Sequence, residues 1–212
     1  MQAYKAVYKD MHSQFGDQPV YEMGKTYIFP IAERGHGGYH AAEDPLFCLN
    51  FIDPSQGRYF LVELQGRLDA AGCNAGADSA AAAERLTLLR ELSVEEMLWR
   101  SMQYRLNWAK LPVQGDVRGE RCMTVTRDDG QKVCATGTRC VAVAHTPDST
   151  AVAAGDNALA IAEAPGSTAE ACGYRSLAVA FGAGTSAKTK NGAWLLTINP
   201  DAPEGQQLTW EH

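Results

Sequence analysis

Apolar and polar positions along the first half of the chain predict β-strands joined by turns. The segments AYKAVY and YFLVEL are rich in aromatic and branched residues and are bounded by turn residues, as is typical of strands. Between them, residues 33–51 read ERGHGGYHAAEDPLFCLNF, and the three glycines predict a reversal of the chain. Asp44 and Pro45 then suit the N-cap and first turn of a helix, which we expect to end by Asp53 and Pro54.

A second helix is predicted after Ser93. Ser93 and Glu96 have the spacing of a capping box, and Met97, Leu98 and Leu106 follow at roughly helical intervals. The preceding run from Leu86 to Leu89 resembles a strand. Residues 69–84, DAAGCNAGADSAAAAE, are interpreted as a flexible insertion, with extension of a helix through the four alanines as the alternative.

From about Cys134 small residues alternate with apolar ones in repeated units such as GTRCVAVAH, PDSTAVAAG and DNALAIAEA. Period-two alternation with a turn every ~8–10 residues predicts short strands stacked in coils of roughly 16 to 18 residues. The pattern therefore predicts an α+β N-terminal domain (1–112), a bridging β segment (113–133), a small-residue β-solenoid, or β-roll (134–198), and a C-terminal tail (199–212). We expect GAWLLTI to cap the solenoid, with the tail draped over it.

Composition and charge exclude several classes of function. The net charge is −6, and both halves carry more acidic than basic residues, so a nucleic acid is not expected as a direct ligand. The sequence shows no apolar leader and no run of ~18 apolar residues, which predicts a cytoplasmic protein without a membrane partner. The six cysteines include no CxxC pair, and we expect buried free thiols rather than a disulfide framework.

The repeats resemble the β-roll repeats in the heads of trimeric autotransporter adhesins, in which S-x-A-x-A-x-G units stack in this way. The resemblance covers about 60 residues and implies the same architecture. It also implies a homo-oligomer, a trimer or a dimer, formed through the solenoid.

The N-terminal half is similar to an uncharacterised domain of bacteriophage and prophage proteins. The segments that carry this resemblance are AYKAVYKDM, YEMGKTY, GGYHAAEDPLFCLNF, RYFLVEL and LRELSVEEM. It implies a phage- or prophage-encoded accessory protein and transfers no catalytic residue. We therefore expect an interaction protein in the host bacterial cytoplasm, an inhibitor of a host defence complex in the manner of anti-CRISPR proteins, with a host protein or protein complex as its partner and no cofactor.

An enzyme is the alternative interpretation. The glycine turn, the helix and the strand YFLVEL loosely resemble the nicotinamide-side segment of ADP-ribosyltransferases, which bind NAD. The resemblance implies Tyr8 or His12, Tyr39 and Glu63 as catalytic candidates, with a glutamate placed opposite a developing cation.

Two further interpretations concern residues 33–51. His36, His40 and Cys48 are possible metal ligands, but the intervening glycines remove the helical geometry that would give their spacing meaning, and we expect no metal site. In a structural interpretation Tyr39 and His40 lie at a strand end, while Phe47, Cys48 and Phe51 fill the core. His36, His40 and Asp44 are the residues expected to contribute to binding.

Overall fold

Two units make up the chain, Met1–Ser101 and Met102–His212. They are seen in a computed structural model that describes residues 1–14, 19–70, 79–203 and 207–212. The predicted fold class, an α+β domain followed by a β-solenoid, is confirmed. In the described residues no helix is long and apolar enough to cross a membrane.

The elements of the N-terminal unit are β1 (Gln2–Tyr8), β2 (Thr26–Ile28), β3 (Tyr39–Ala42), α1 (Pro45–Leu49), β4 (Gly57–Ala70), β5 (Ala80–Leu92) and the first half of α2 (Val94–Trp108). The named strands of this unit pair antiparallel, and β1 pairs with β3 and β4, both of which also pair with β5. These pairings close a ring of four strands. Strand β2 extends the sheet beside β5.

Strand alternation gives the ring an apolar interior. On β4, Phe60, Val62 and Leu64 are fully buried in the same cluster, because alternate residues of a strand point to the same face. The other members of this interior are Ala3, Val7, Tyr21, Tyr27, Tyr39, Ala41, Ala81, Ala83, Leu86 and Leu88.

Both helix starts occur where they were predicted. The Asp44 carboxylate accepts the Leu46 N–H at 3.0 Å, and α1 ends at Leu49. The Ser93 hydroxyl accepts the Glu96 N–H at 3.2 Å. The Glu96 carboxylate binds the guanidinium groups of Arg90 and Arg100 instead of completing the capping box.

The interpretation of residues 69–84 as a flexible insertion or helix extension is wrong at both ends. Residues up to Ala70 belong to β4, and Ala80–Ala83 begin β5. Each of these four alanines pairs with a residue of β3. Hydrogen bonds to β3 on one side and to β4 on the other stabilise the strand conformation of these alanines, although alanine by itself favours a helix. The centre of the segment, residues 71–78, lies outside the described residues.

The C-terminal unit stacks parallel strands in two sheets. One sheet contains β6 (Pro112–Val113), β7 (Met123–Val125), β9 (Val141–Ala144), β11 (Leu159–Ala162), β13 (Leu177–Phe181), β15 (Trp194–Ile198) and β16 (Leu208–Glu211). The other contains β8 (Lys132–Ala135), β10 (Thr150–Ala153), β12 (Thr168–Ala171) and β14 (Ser186–Thr189).

Coils of 18 residues generate these sheets, since Thr150 pairs with Thr168 and Val141 with Leu159. Alanines fill the interior between the sheets. A narrow coil favours small side chains there, and in the first coils Val133 and Cys140 share the interior with alanines.

The solenoid differs from the expected boundaries at its start. Regular coils begin at Met123, within the segment expected to be a bridge (113–133), because β7 and β8 already pair in register with β9 and β10. At the other end β16 pairs antiparallel with β15. The described part of the tail thus ends in a strand that covers the edge of the larger sheet.

Candidate functional site

A cleft of about 740 Å³ lies in the N-terminal unit. Its volume lies within the roughly 300–1,000 Å³ of typical ligand sites. Its described walls are β1, β3, α1 and the loop 34–38. Most of the described residues that line the cleft therefore belong to the glycine turn and helix of residues 33–51.

The glycine turn brings the loop over the sheet. Gly38 has φ of +96°, and a Cβ atom there would lie 2.8 Å from the Ile31 carbonyl oxygen and 3.0 Å from that of Ala83. Only glycine fits both the backbone angle and this close approach. Glu33 N–H and Gly37 O are bonded at 3.0 Å, which closes the turn.

Two buried or half-buried basic groups lie in the wall of the cleft. The Lys5 amine donates to the His40 carbonyl oxygen at 2.9 Å and lies 5.0 Å from the centre of the Tyr21 ring. Burial lowers the pKa of Lys5 to about 8, so the amine is mainly charged at pH 7. His40 Nε2 accepts the Gly35 N–H at 3.1 Å. Burial, and then the charge of Lys5, lowers the pKa of His40, which favours its neutral form.

Arg34 and His36 add basic groups at the loop. The Asp69 carboxylate fixes the position of Arg34 by accepting two hydrogen bonds, one from the Arg34 backbone N–H at 2.9 Å and one from its Nε–H at 3.2 Å. No described residue accepts a hydrogen bond from the terminal Nη groups of Arg34. His36 is exposed on the same loop. Among the described lining residues, none is aspartate or glutamate, and Asp69, which pairs with Arg34, lies outside that lining. The described lining therefore contains basic but no acidic side chains, in a chain of net charge −6.

Aromatic side chains form the rim of the cleft. Phe47 and Phe51 of the α1 region pack edge to face, with ring centres 4.8 Å apart, and Phe29 also lines the cleft. The prediction that Phe47 and Phe51 fill the core is wrong, since Phe47 is half-buried and Phe51 is 43% exposed. A five-residue helix has too few turns to bury both rings with Leu46, Cys48 and Leu49, which occupy its inner face.

Apolar surface continues beyond the rim. Ile28 is 68% exposed and Ile31 is 51% exposed. Ile31 and Phe29 both approach Gly37, each with an atom 3.5 Å from the position of a Cβ there. The cleft and residues 28–31 therefore form one continuous surface.

The residues proposed for an ADP-ribosyltransferase are not brought together. Tyr39 points into the ring and packs against Tyr21 and Tyr27. Glu63 alternates with Val62 and Leu64, which point inward, so its carboxylate lies on the outer face. His12 is exposed and paired with Asp10 at 3.2 Å. Tyr39 and Glu63 therefore lie on opposite faces of one sheet.

Tyr8, the other candidate for the first strand, is the last residue of β1 and is half-buried. Its Cα partner is Gly57. It is not among the described residues that line the cleft.

Of the residues expected to bind, His36 and His40 line the cleft and Asp44 does not. Asp44 is 8% exposed, and its carboxylate caps α1 and accepts the Ser101 hydroxyl at 2.5 Å. This residue has a structural role.

The three proposed metal ligands, His36, His40 and Cys48, all line the cleft. The described residues contain no group of three or more His, Cys, Asp or Glu side chains placed to hold a metal ion. Cys48 donates from Sγ to the Tyr4 carbonyl oxygen at 3.2 Å, and burial raises the pKa of its thiol to about 12. It is therefore a poor nucleophile at neutral pH.

Sequence reasoning missed Lys5. The available signal was its position in AYKAVY, where Ala3, Lys5 and Val7 share one face of a strand whose alternate residues are apolar. Burying a lysine at an inward position of a strand costs free energy. A lysine in such a pattern is therefore a candidate for a functional site.

No curated protein and no solved structure matches the chain. Residues 1–100 do match one family model, described as a domain of unknown function (DUF7666). The N-terminal half of the chain, which contains the cleft, is therefore similar to the DUF7666 family.

Proposed function

We propose that the chain is an interaction protein that binds an acidic, aromatic-bearing segment of a partner protein in the cleft of its N-terminal unit. The observation that carries this proposal is the composition of the described lining, which combines Lys5, Arg34, His36 and His40 with phenylalanines and includes no acidic side chain.

Charge complementarity supports an acidic occupant. The Nη groups of Arg34 can donate two parallel hydrogen bonds to one carboxylate. Lys5 adds a positive charge in a wall from which water is largely excluded, where the attraction between unlike charges is stronger than in bulk water. An acidic segment is thereby favoured over a neutral or basic one.

The apolar surface around the cleft supports a protein segment rather than a small molecule. Phe29, Phe47 and Phe51 offer ring surface for an aromatic or aliphatic side chain, as is common at protein interfaces. Ile28 and Ile31 extend that surface beyond the 740 Å³ of the cleft itself. An exposed apolar patch beside polar residues is typical of a protein interaction site.

The partner is, in this proposal, a host protein or a host defence complex. The resemblance of the N-terminal segments to a phage and prophage domain supports a phage- or prophage-encoded protein that acts in the bacterial cytoplasm. Occupying a partner's acidic segment would block the partner without catalysis, in the manner of an anti-CRISPR inhibitor.

The ADP-ribosyltransferase alternative finds no such support. Catalysis of that type places a glutamate and its companions around one nicotinamide ring. Tyr39 and Glu63 lie on opposite faces of the sheet, and we do not propose this activity.

Co-purification from a lysate of the bacterial host tests the proposed function. The wild-type chain should retain a partner in stoichiometric amount, whereas His36→Glu should lose most of it. The added carboxylate places negative charge in the cleft and repels an acidic segment. The matched control is Gln56→Glu, which adds one negative charge at an exposed position outside the described cleft lining.

Equal recovery of the partner by wild type and His36→Glu would contradict the assignment of the cleft. A product formed from NAD in the lysate without a stoichiometric partner would contradict the interaction protein itself.

Self-association through the solenoid is part of the proposal. It is supported by the resemblance to trimeric autotransporter heads, whose repeats stack in the same way. Light scattering across a range of concentrations should give two or three times the monomer mass of 22.9 kDa. A mass of one chain at every concentration would contradict oligomerisation.

A further inference from the structure

Cys122 and Cys140 occupy equivalent positions in the first two coils of the solenoid. The residues that follow them, Met123 and Val141, are paired in register, and the Val141 N–H donates to the Cys122 carbonyl oxygen at 2.8 Å. Each cysteine also follows an arginine with φ of 58°, Arg121 and Arg139. The same local turn therefore presents both side chains in the same direction.

The two side chains belong to one packed cluster. Cys122 packs against the group of buried residues that contains Cys140. Neighbouring strands lie about 4.7–4.9 Å apart, inside the roughly 4.4–6.8 Å between Cα atoms that a disulfide spans. The Cα spacing of two in-register positions on neighbouring strands therefore falls within the range that a disulfide spans.

The other described cysteines lack such a neighbour. Cys134 pairs with Val152 in the smaller sheet, and Cys48 lies in the N-terminal unit. Cys172 follows β12, and its Sγ lies 3.7 Å from Glu170 Oε1. Within the described residues, Cys122 and Cys140 are thus the pair that the fold places side by side.

We propose that Cys122 and Cys140 are a redox modification site, at which a low-molecular-weight disulfide such as oxidised glutathione converts them to a disulfide linking the first two coils. This inference is independent of the cleft and of its occupant.

The reaction consists of two thiol–disulfide exchanges. The half-exposed Cys122 thiolate attacks oxidised glutathione, forming a mixed disulfide and releasing one glutathione thiolate. The Cys140 thiolate then attacks the Cys122 sulfur, which forms the protein disulfide and releases the second glutathione. The two protons lost by the cysteines end on the two glutathione thiols. The protein is oxidised by two electrons and glutathione disulfide is reduced by two.

The environment of each thiol fits this order. Cys122 is half-exposed and can be reached by the oxidant, while Cys140 is fully buried and donates from Sγ to the Gly119 carbonyl oxygen at 2.7 Å. Burial raises the pKa of the Cys140 thiol, so we expect closure of the disulfide to be faster at alkaline pH than at neutral pH.

Mass spectrometry of the full chain tests the proposal. After treatment with oxidised glutathione, the protein should lose the mass of two hydrogen atoms without retaining glutathione. Tryptic digestion without reductant should yield one linked pair, the peptide CMTVTR joined to the peptide that begins at Cys140 and ends at Arg175. Fragmentation of that pair should place the bond on Cys140 and not on Cys172, which lies in the same peptide. The melting temperature should rise by several degrees, because the bond closes a loop in the unfolded chain, and return to its initial value with dithiothreitol.

Two variants test whether the bond involves Cys122. Cys122→Ser should abolish both the linked peptides and the change in melting temperature, and Cys134→Ser should retain both. The wild-type measurement needs no variant to fold. An unchanged mass, glutathione retained on Cys122 alone, or a bond from Cys122 to Cys172 or to any other cysteine than Cys140 would overturn the proposal.

Discussion

Gly155→Ala is expected to destabilise the solenoid by about 3 kcal/mol. A Cβ atom at Gly155 would lie 2.1 Å from the Gly137 carbonyl oxygen, far inside van der Waals contact. The obstacle is backbone rather than a flexible side chain. The neighbouring coils cannot move apart without breaking the parallel hydrogen bonds on both sides of the turn.

Glycines stacked at one position in successive coils explain why a single coil cannot shift to accept a side chain. Gly119, Gly137, Gly155 and Gly173 occupy one position in four coils, and a Cβ at Gly173 would likewise lie 2.1 Å from the Gly155 carbonyl oxygen. Displacing one coil to accept a methyl group therefore compresses or opens the next one. Strain of this kind spreads along a stack whose coils contact only their neighbours.

Thermal unfolding measures this effect. For a chain of this size, 3 kcal/mol corresponds to a fall of roughly 6–12 °C in the melting temperature. Ala154→Ser is the matched control, because Ala154 is adjacent and exposed, and its change should stay within about 0.5 kcal/mol. Equal melting temperatures for Gly155→Ala and wild type would contradict the stacking geometry.

The solenoid could be predicted from the sequence because its constraint is local and periodic. Each coil repeats a turn, a small polar residue and alternating alanines, so a coil of roughly 16 to 18 residues could be predicted without any knowledge of pairing partners. The start at Met123 was missed because the first coil carries MTV and KVCA instead of alanine-rich units. The first coil belongs to the solenoid because its strands pair in register with β9 and β10. That pairing is visible only in the structure.

The strand that begins at Ala80 was missed for a related reason. Four consecutive alanines have no alternation of size or polarity, and alanine favours a helix in isolation. Their strand conformation comes from pairing with residues 39–42, which are about 40 positions away in the sequence. The helix or strand propensity of a short segment depends on its own residues and does not predict a pairing partner that is distant in the sequence.

The candidate site was predicted in part. His36 and His40 belong to a compact motif and do line the cleft. The orientation of Tyr39 depends on the register of β3 in the ring, so its inward direction and its separation from Glu63 could not be read from the sequence. Phe51 was assigned to the core because aromatic residues usually are buried, whereas the short α1 leaves it at the cleft rim.

Binding of acidic peptides is the second large effect that we expect. His36→Glu should weaken the binding of an acidic, aromatic peptide about tenfold, which corresponds to ~1.4 kcal/mol. His36 is exposed, and no described residue is hydrogen-bonded to its side chain, so the substitution should leave the fold intact. The loss should shrink as salt screens the added charge. Phe51→Ala should also weaken binding, but with little dependence on salt, because it removes ring surface and not charge.

Fluorescence anisotropy with labelled octapeptides tests the central claim most directly. One set alternates acidic with aromatic residues, a second replaces the acidic residues by lysine, and a third replaces the aromatic residues by serine. The account predicts binding of the first set alone, weakened by His36→Glu and by Phe51→Ala and unchanged by Gln56→Glu. Equal binding of the acidic and lysine peptides, or no binding of any set, would contradict the cleft as a site for an acidic, aromatic segment.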